Sequence, residues 1–128
     1  MPPIPRQGQF WWVADEAIAF PEDREREPHL TRGCIVIEGD SSLDRGGARV
    51  LVVPTSSQTD RKDTYDVVIP HPPAPNYACV VLVEHVQPLL RSDLRNLVMR
   101  LPQPWADRVL AALLAVLGVV PEAGEAEE

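Results

Sequence analysis

Three short stretches of the sequence carry side chains whose types are suited to chemistry. Arg32 is an isolated basic residue just before an apolar run, residues 55–58 read Thr-Ser-Ser-Gln just after another, and His85 lies at the end of a third. A guanidinium binds phosphate through paired hydrogen bonds, and an imidazole exchanges a proton near neutral pH. Taken singly, such an arginine is usually a surface charge and Thr-Ser-Ser is usually a turn. The elements that position these residues therefore decide their interpretation.

Apolar runs rich in branched and aromatic residues predict five strands, at residues 9–13, 34–38, 49–53, 64–69 and 78–86. Pro54 is expected to end the third, because proline lacks the amide donor of a strand ladder. Residues 97–101 fit either a sixth strand or a short helix. Residues 14–31 predict a long loop, with an acidic run at 22–27 between two prolines. A loop of this length in a compact domain is usually functional or mobile.

The last predicted element is a helix with one apolar stripe. Its apolar residues recur at helical spacing: Trp105, Val109, Leu113, Val116, Leu117 and Val120. Pro104 suits a first helical turn, and Gly118 and Pro121 mark the end. The order of elements predicts a mainly β fold of the α+β class, a small barrel of five to six strands covered by a C-terminal helix.

Composition limits the classes of function. The chain has 128 residues, which predicts one domain over residues 1–120 and a disordered acidic tail at 121–128. A net charge of −7 argues against a broad surface for nucleic acid, although a small basic cleft stays possible. Without an apolar leader or a membrane-length run, we expect a cytoplasmic protein that does not bind a membrane.

The cysteine and metal chemistry of the chain is expected to be limited. Cys34 and Cys79 lie far apart on predicted strands, where free cysteines usually behave as small buried apolar residues. No His, Cys, Asp or Glu residues have metal-ligand spacing, so the sequence predicts neither a metal nor another cofactor.

The order of these runs resembles the MazF/PemK family of toxin endoribonucleases, over about residues 7–118. The sequence Gly-Gln-Phe-Trp-Trp-Val at 8–13 matches the family's opening strand. Arg32 and Gly33 stand where members have an Arg-Pro pair, and residues 52–58 match an apolar strand that ends in Thr or Ser and then Gln. His85 follows Glu84 where Gln is common. The resemblance implies an SH3-like barrel with a C-terminal helix.

The resemblance also implies a reaction. Family members cut single-stranded RNA without a metal, leaving a 2′,3′-cyclic phosphate and a 5′-hydroxyl. By motif, Arg32 and Ser56 form the central catalytic pair, and His85 is a departure that could act as acid or base. The expected substrate contacts are Thr55, Ser57, Gln58 and Trp12. The implied partners are single-stranded RNA, a small acidic antitoxin and a second copy of the chain in a homodimer.

Two other functions stay open at this point. The chain could be a toxin-fold binding or regulatory module with weak or no cleavage, which the acidic loop and Gly33 favour. It could also poison a protein target, as CcdB relatives do. Arg32 and Ser56 close together in a groove would favour the nuclease. A salt bridge from Arg32 to a loop carboxylate would favour the inactive module. The acidic run at 22–27 is expected to repel RNA or to cover the site in the free protein.

Overall fold

The computed structural model describes residues 4–20, 30–61 and 63–119. Within these ranges the strands are β1 (Gln9–Ala14), β2 (Thr31–Val36), β3 (Arg49–Ser56), β4 (Val67–Ile69), β5 (Cys79–Val81), β6 (Gln87–Leu90) and β7 (Leu94–Arg100). The α-helices are α1 (Asp40–Leu43) and α2 (Gln103–Val116). Short 3-10 helices span Asp15–Ala17, Thr59–Arg61, Val83–His85 and Arg91–Asp93. The acidic run at 22–27 and the tail at 121–128 lie outside the described residues.

The strands form one antiparallel sheet in the order β4-β5-β3-β2-β1-β7. Strand β3 serves two partners on one side, because its first half pairs with β6 and its last two residues pair with β5. The predicted mainly β fold with a C-terminal helix is confirmed. The described sheet has seven strands rather than five or six, and β4 and β7 end it without closing the barrel.

Pro54 does not end β3, and that prediction was wrong. The strand continues through Pro54 to Ser56, and Pro54 pairs with Cys34 of β2. On its other side the Pro54 carbonyl accepts a hydrogen bond from Leu82 N at 2.9 Å. Proline has no backbone amide to donate to a neighbouring strand. Pro54 lies where the partner of β3 changes from β6 to β5, so neither pairing loses a hydrogen bond.

The predicted fifth strand, residues 78–86, is divided because β3 changes partner from β6 to β5. β5 ends at Val81, the chain turns through the 3-10 helix Val83–His85, and β6 begins at Gln87. His85 therefore lies on a turn and not at the end of a strand. The fourth strand is also shorter than predicted, at Val67–Ile69, whereas residues 97–101 belong mostly to strand β7.

Helix α2 begins at Gln103, two residues before the first residue of the predicted apolar stripe, and ends at Val116. Pro104 lies in its first turn, and Gly118 adopts a φ of +75° after the end. Gly118 N donates to Ala115 O and Val119 N donates to Leu114 O, which is the Schellman arrangement. Glycine suits this site because a left-handed backbone costs it nothing.

Two apolar clusters lie on opposite faces of the sheet. The helix-side core lies under α2 and includes Phe10, Ile35, Val53, Val109 and Leu113. The second core includes Trp11, Val13, Val50, Val52 and Leu89. Adjacent residues of a strand point to opposite faces, so β1 and β3 contribute alternately to both clusters.

The two cysteines are divided between the clusters. Cys34 lies in the second core and Cys79 in the helix-side core, and both are free and buried. The expectation of small buried apolar residues is confirmed. Burial raises the pKa of the Cys34 thiol to about 12 and that of Cys79 to about 11. Among the described residues, no helix has the length and apolar character needed to cross a membrane.

Candidate active site

The pairing of β2 with β3 brings Arg32 and Ser56 to the same end of the sheet. Cys34 pairs with Pro54, and the register runs on through Ile35 with Val53. Cys34 and Pro54 are the last pair of this ladder, and two further steps of the same antiparallel register would place Arg32 across from Ser56. Opposed residues of an antiparallel pair share a face, so both belong to the face of the second core.

Arg32 is buried, with 9% of its surface exposed, and it is held at two points. Its Nε donates to Asp15 Oδ1 at 2.6 Å, and its Nη1 donates to the Thr55 carbonyl at 2.9 Å. Asp15 is itself only 6% exposed. A buried guanidinium needs an anionic partner to offset its lost hydration, and Asp15 is that partner.

An aromatic side chain covers the guanidinium. Arg32 Cζ lies 5.0 Å from the centroid of the Phe20 ring, which is the range of a cation–π contact. The same ring meets His85 edge-on, with centroids 5.1 Å apart. Phe20 therefore stands between Arg32 and His85, and the structure brings His85 to the site through that ring.

Thr55 supports the site from the opposite face. Its carbonyl accepts from Arg32, while its buried hydroxyl donates to the Gly33 carbonyl at 3.1 Å. The Thr55 side chain thus joins β3 to β2, and its hydroxyl is turned away from Arg32. In this conformation Thr55 positions Arg32 by its backbone.

Position 33, where the resemblance implies a proline, is occupied by glycine, and packing explains why. A Cβ built on Gly33 would lie 2.3 Å from Phe10 Cζ and 2.8 Å from Thr55 Oγ1. The Phe10 ring is buried in the helix-side core, so it cannot move aside freely. A residue with a Cβ at this position therefore requires a smaller side chain at position 10.

The turn after β3 leaves polar groups accessible. Ser56 is half-buried, and its hydroxyl oxygen accepts from Gln58 N at 3.1 Å. A hydroxyl that accepts one hydrogen bond can still donate its own proton. Ser57 and Gln58 are exposed beside it.

Trp12 is not brought to this site. It pairs with Gly33 across the β1–β2 ladder, contacts Phe10 at a ring distance of 5.5 Å, and packs against the helix-side core. Arg32 pairs instead with Val13, on the other face. The alternation of a strand separates Trp12 from Arg32 although their backbones are neighbours.

The structure adds three residues that the sequence did not identify as site residues: Asp15, Phe20 and Gln87. The Gln87 side chain holds residue 19, accepting from Ala19 N at 2.8 Å and donating to Ala19 O at 3.0 Å. In the sequence, the only indication of any of these three residues was the position of Asp15, an acidic residue just after the first predicted strand. Among the described residues, no group of three or more His, Cys, Asp or Glu side chains is placed to hold a metal.

A family model described as PemK-like, MazF-like toxin of type II toxin–antitoxin system matches residues 6–117. No curated protein sequence matches the chain.

Solved structures share the fold at low sequence identity. A MazE–MazF crystal structure from Deinococcus radiodurans matches with a TM-score of 0.69 and 17% identity, covering 93% of this chain and 100% of that one. An endoribonuclease from a mycobacterial species has a TM-score of 0.68 and 16% identity, covering 91% and 94%. A mycobacterial endoribonuclease in complex with its cognate antitoxin has a TM-score of 0.67 and 14% identity, covering 91% and 96%. With the family model spanning most of its length, the chain belongs to the PemK-like, MazF-like toxins of type II toxin–antitoxin systems.

Proposed function

We propose that this chain is an endoribonuclease toxin that cleaves single-stranded RNA without a metal. The ribose 2′-oxygen attacks the adjacent phosphorus, the bond to the 5′-oxygen breaks, and the products carry a 2′,3′-cyclic phosphate and a 5′-hydroxyl. The nucleophile belongs to the substrate, so the protein has to move protons and stabilise charge on the phosphate. The observation that carries the proposal is that Arg32 Nη1 donates to the carbonyl of Thr55, the residue before Ser56, at 2.9 Å.

Arg32 is the proposed phosphate clamp. A guanidinium is a poor proton acceptor, whereas its planar fork matches phosphate oxygens. Ser56 would donate its hydroxyl proton to a phosphate oxygen, with Ser57 and Gln58 as exposed neighbouring donors. His85 is the proposed proton carrier, because an imidazole serves as acid or base near neutral pH.

The proposed partners follow from the family and from the solved relatives. The Deinococcus radiodurans and mycobacterial structures include toxins bound to antitoxins, which supports a small acidic antitoxin for this chain. We further propose that the chain acts as a homodimer in the cytoplasm. A net charge of −7 means that RNA contact is confined to the site and does not spread over the surface.

The test is cleavage of a mixed-sequence single-stranded RNA by purified protein in excess EDTA. We expect Arg32→Ala to lower the cleavage rate by about 100-fold or more, the usual effect of removing one preorganised charge-stabilising donor. Ser56→Ala and His85→Ala should each lower it by a smaller factor. Arg45→Ala is the matched control, because Arg45 is exposed and lies outside the site.

The products and the metal dependence give the contradicting outcomes. New ends that accept phosphate from a kinase without prior phosphatase treatment carry the expected 5′-hydroxyl. Ends that need phosphatase first, or activity abolished by EDTA, would show a different mechanism. Equal rates for Arg32→Ala and Arg45→Ala would remove Arg32 from catalysis.

One observation favours the second function, a toxin-fold binding module with weak or no cleavage. Arg32 is paired to Asp15, a carboxylate of the segment after β1, and covered by Phe20. A guanidinium neutralised in this way offers little charge to a phosphate. Wild-type protein that binds an acidic partner and leaves RNA intact under all conditions would support this function over the nuclease.

A further inference from the structure

We propose that Thr55 is a positioning residue, whose buried hydroxyl holds Arg32 and Ser56 at the separation that the reaction needs. This inference rests on the proposed function, because it concerns the geometry of the same reaction. It differs from the role that the resemblance implies for Thr55, which is direct contact with the substrate. Thr55 would act on the reaction through its two neighbours in space and not through a contact with RNA.

The backbone pairing of β2 with β3 ends just before the site. The last paired residues are Cys34 and Pro54. Beyond them β3 pairs on its other side with β5, where Thr55 lies opposite Val81. The stretch of the two strands that carries Arg32 and Ser56 therefore lies past the last backbone pair, where side-chain contacts can set its spacing.

Thr55 makes two buried hydrogen bonds to β2 past that point. Its hydroxyl donates to the Gly33 carbonyl at 3.1 Å, and its carbonyl accepts from Arg32 Nη1 at 2.9 Å. The first bond joins the residue after Arg32 to the residue before Ser56, so it sets the spacing of the two backbones. The second bond fixes the guanidinium on the same residue. Removing one partner of a buried hydrogen bond leaves the other unsatisfied, so this connection resists change.

Glycine at position 33 allows the Thr55 hydroxyl to approach this closely. A Cβ on Gly33 would lie 2.8 Å from Thr55 Oγ1 and 2.3 Å from Phe10 Cζ. The hydroxyl therefore occupies space that any other residue at position 33 would fill with its side chain. Gly33 and Thr55 form one unit, which connects the glycine at position 33 to the geometry of the site.

Burial separates Thr55 from the polar groups that a substrate can reach. Thr55 is 5% exposed, whereas Ser56 is half-buried and Ser57 is exposed. Neighbouring residues of a strand point to opposite faces, so the Thr55 hydroxyl and Ser56 lie on different faces of the sheet. A substitution that removes the Thr55 hydroxyl therefore changes the placement of Arg32 and Ser56 and leaves the groups exposed to RNA in place.

The experiment removes the hydroxyl and measures cleavage and binding separately. Thr55→Val keeps the shape of the side chain without the hydroxyl, and Thr55→Ser keeps the hydroxyl. The probe is a mixed-sequence single-stranded RNA, cleaved in a single turnover with protein in excess. We expect Thr55→Val to lower the cleavage rate of bound RNA about tenfold, because misplaced catalytic groups react slowly, and to change RNA affinity by no more than about twofold. Thr55→Ser should restore the rate to within about threefold of wild type.

Two further variants keep the test decisive. Thr64→Val is the matched control, because Thr64 is exposed and lies outside the site, and it should change neither quantity. Thr55→Ala removes the same hydroxyl without turning a methyl group toward the Gly33 carbonyl, so it should slow cleavage even if Thr55→Val folds poorly. Thermal melting identifies any variant that is unfolded at the assay temperature.

A second measurement follows Arg32 in the absence of RNA. The Arg32 Nε–H donates to Asp15 at a buried position, so its proton exchanges slowly with water and is visible by NMR. The signal is identified as the one that Arg32→Lys removes. Thr55→Val should shift this signal and speed its exchange about fivefold, the effect of losing one hydrogen bond. Thr55→Ser and Thr64→Val should leave it unchanged.

The outcomes separate the positioning role from the nuclease. Wild-type cleavage rates in folded Thr55→Val and Thr55→Ala would overturn the role, and so would an unchanged Arg32 signal in Thr55→Val. Thr55→Ser as slow as Thr55→Val would overturn it because the hydroxyl would not be the cause. Weaker RNA binding with an unchanged rate in the bound complex would make Thr55 a substrate contact instead. A shifted Arg32 signal in Thr55→Val, with no RNA cleavage by wild type, would support the positioning of Arg32 and overturn the proposed endoribonuclease.

Discussion

The two faces of the β2–β3 pair are built on opposite principles. On the helix side, Gly33 and Thr55 meet the Phe10 ring with no room for one added carbon. On the other side, Arg32 is held by an ion pair with Asp15 and by a hydrogen bond to the Thr55 carbonyl. The comparison teaches that one face of this hairpin is fixed by volume and the other by polar partners.

The division follows from the alternation of strands. Arg32 and Gly33 are consecutive residues, and so are Thr55 and Ser56, yet each pair sends one member to each face. The rigid face therefore sets the position of the polar face through the same backbone. A site supported in this way has its geometry fixed from the opposite face.

A large stability effect is expected on the rigid face, from Gly33→Ala. The new Cβ collides with a buried ring, and overpacking of this kind costs about 2 kcal/mol of the free energy of unfolding. Urea unfolding measures it. Gly47→Ala is the matched control, because nothing lies within 4 Å of a Cβ at Gly47.

A second substitution sharpens that prediction. Phe10→Leu in the Gly33→Ala background removes the ring atoms that collide, and it should restore part of the lost stability relative to the sum of the two single changes. Strict additivity of the two changes would show that the collision with Phe10 is not the cause.

A comparable stability effect is expected on the polar face, from Asp15→Asn. The amide oxygen can still accept from Arg32, but the buried guanidinium loses its anionic partner, at a cost of about 3 kcal/mol in the free energy of unfolding. The positive charge of Arg32 is then uncompensated. We therefore expect tighter binding of single-stranded RNA, with the gain decreasing as salt rises.

The contrast between the faces is tested by reading stability and binding together. Gly33→Ala should lower stability with no gain in RNA affinity per folded molecule. Asp15→Asn should lower the free energy of unfolding and raise the affinity for RNA, as measured by urea unfolding and fluorescence anisotropy on the same samples. Weaker RNA binding by Asp15→Asn would instead make Asp15 a residue that orients Arg32 for substrate.

The smallest effect concerns the two cysteines, one in each core, and it is absent at neutral pH. Burial holds the pKa of Cys34 at about 12 and that of Cys79 at about 11, above the ordinary value of 9.0. In the unfolded chain the thiols ionise above pH 9 while the folded chain keeps them protonated. The folded state then binds more protons, so the free energy of unfolding decreases as the pH rises from about 9 to 12.

The measurement compares the slope of stability against pH for wild type and Cys34→Ala/Cys79→Ala. The variant should be less sensitive to pH above 9. The wild-type thiols should react with a disulfide reagent only after unfolding. Rapid reaction of either thiol in native protein would contradict its burial.

Much of the fold was predictable because the apolar patterns are local. The helix stripe ending at Gly118 and the opening strand at 9–13 were recognised correctly, since periodicity and end signals act over a few residues. Strand β3 was misjudged at Pro54, because the cost of a missing amide depends on which strand lies beside it. Residues 78–86 divide into β5 and a turn for the same reason, because β3 pairs with β6 along its first half and with β5 at its end.

The candidate site stays a prediction. Arg32, Ser56 and His85 were chosen by type and order; in the structure Arg32 reaches the Thr55 carbonyl beside Ser56, and the Phe20 ring contacts both Arg32 and His85. The assignment of Trp12 to substrate contact stays a prediction, but this residue lies on the other face from Arg32. Asp15, Phe20 and Gln87 were missed because their relation to Arg32 depends on how a long connection folds back onto β6.

The sequence by itself determined the family, the β-rich class, the closing helix and the identity of the basic and hydroxyl side chains, because each depends on neighbouring residues or on their order. The tertiary structure alone decided which of these meet and whether they are accessible. Pairing of β2 with β3 placed Arg32 beside the Thr55 carbonyl, and the fold of the chain after β1 paired it with Asp15. The physical reason is that a buried charge must find its partner in space, and that partner is chosen by strand register rather than by position along the chain.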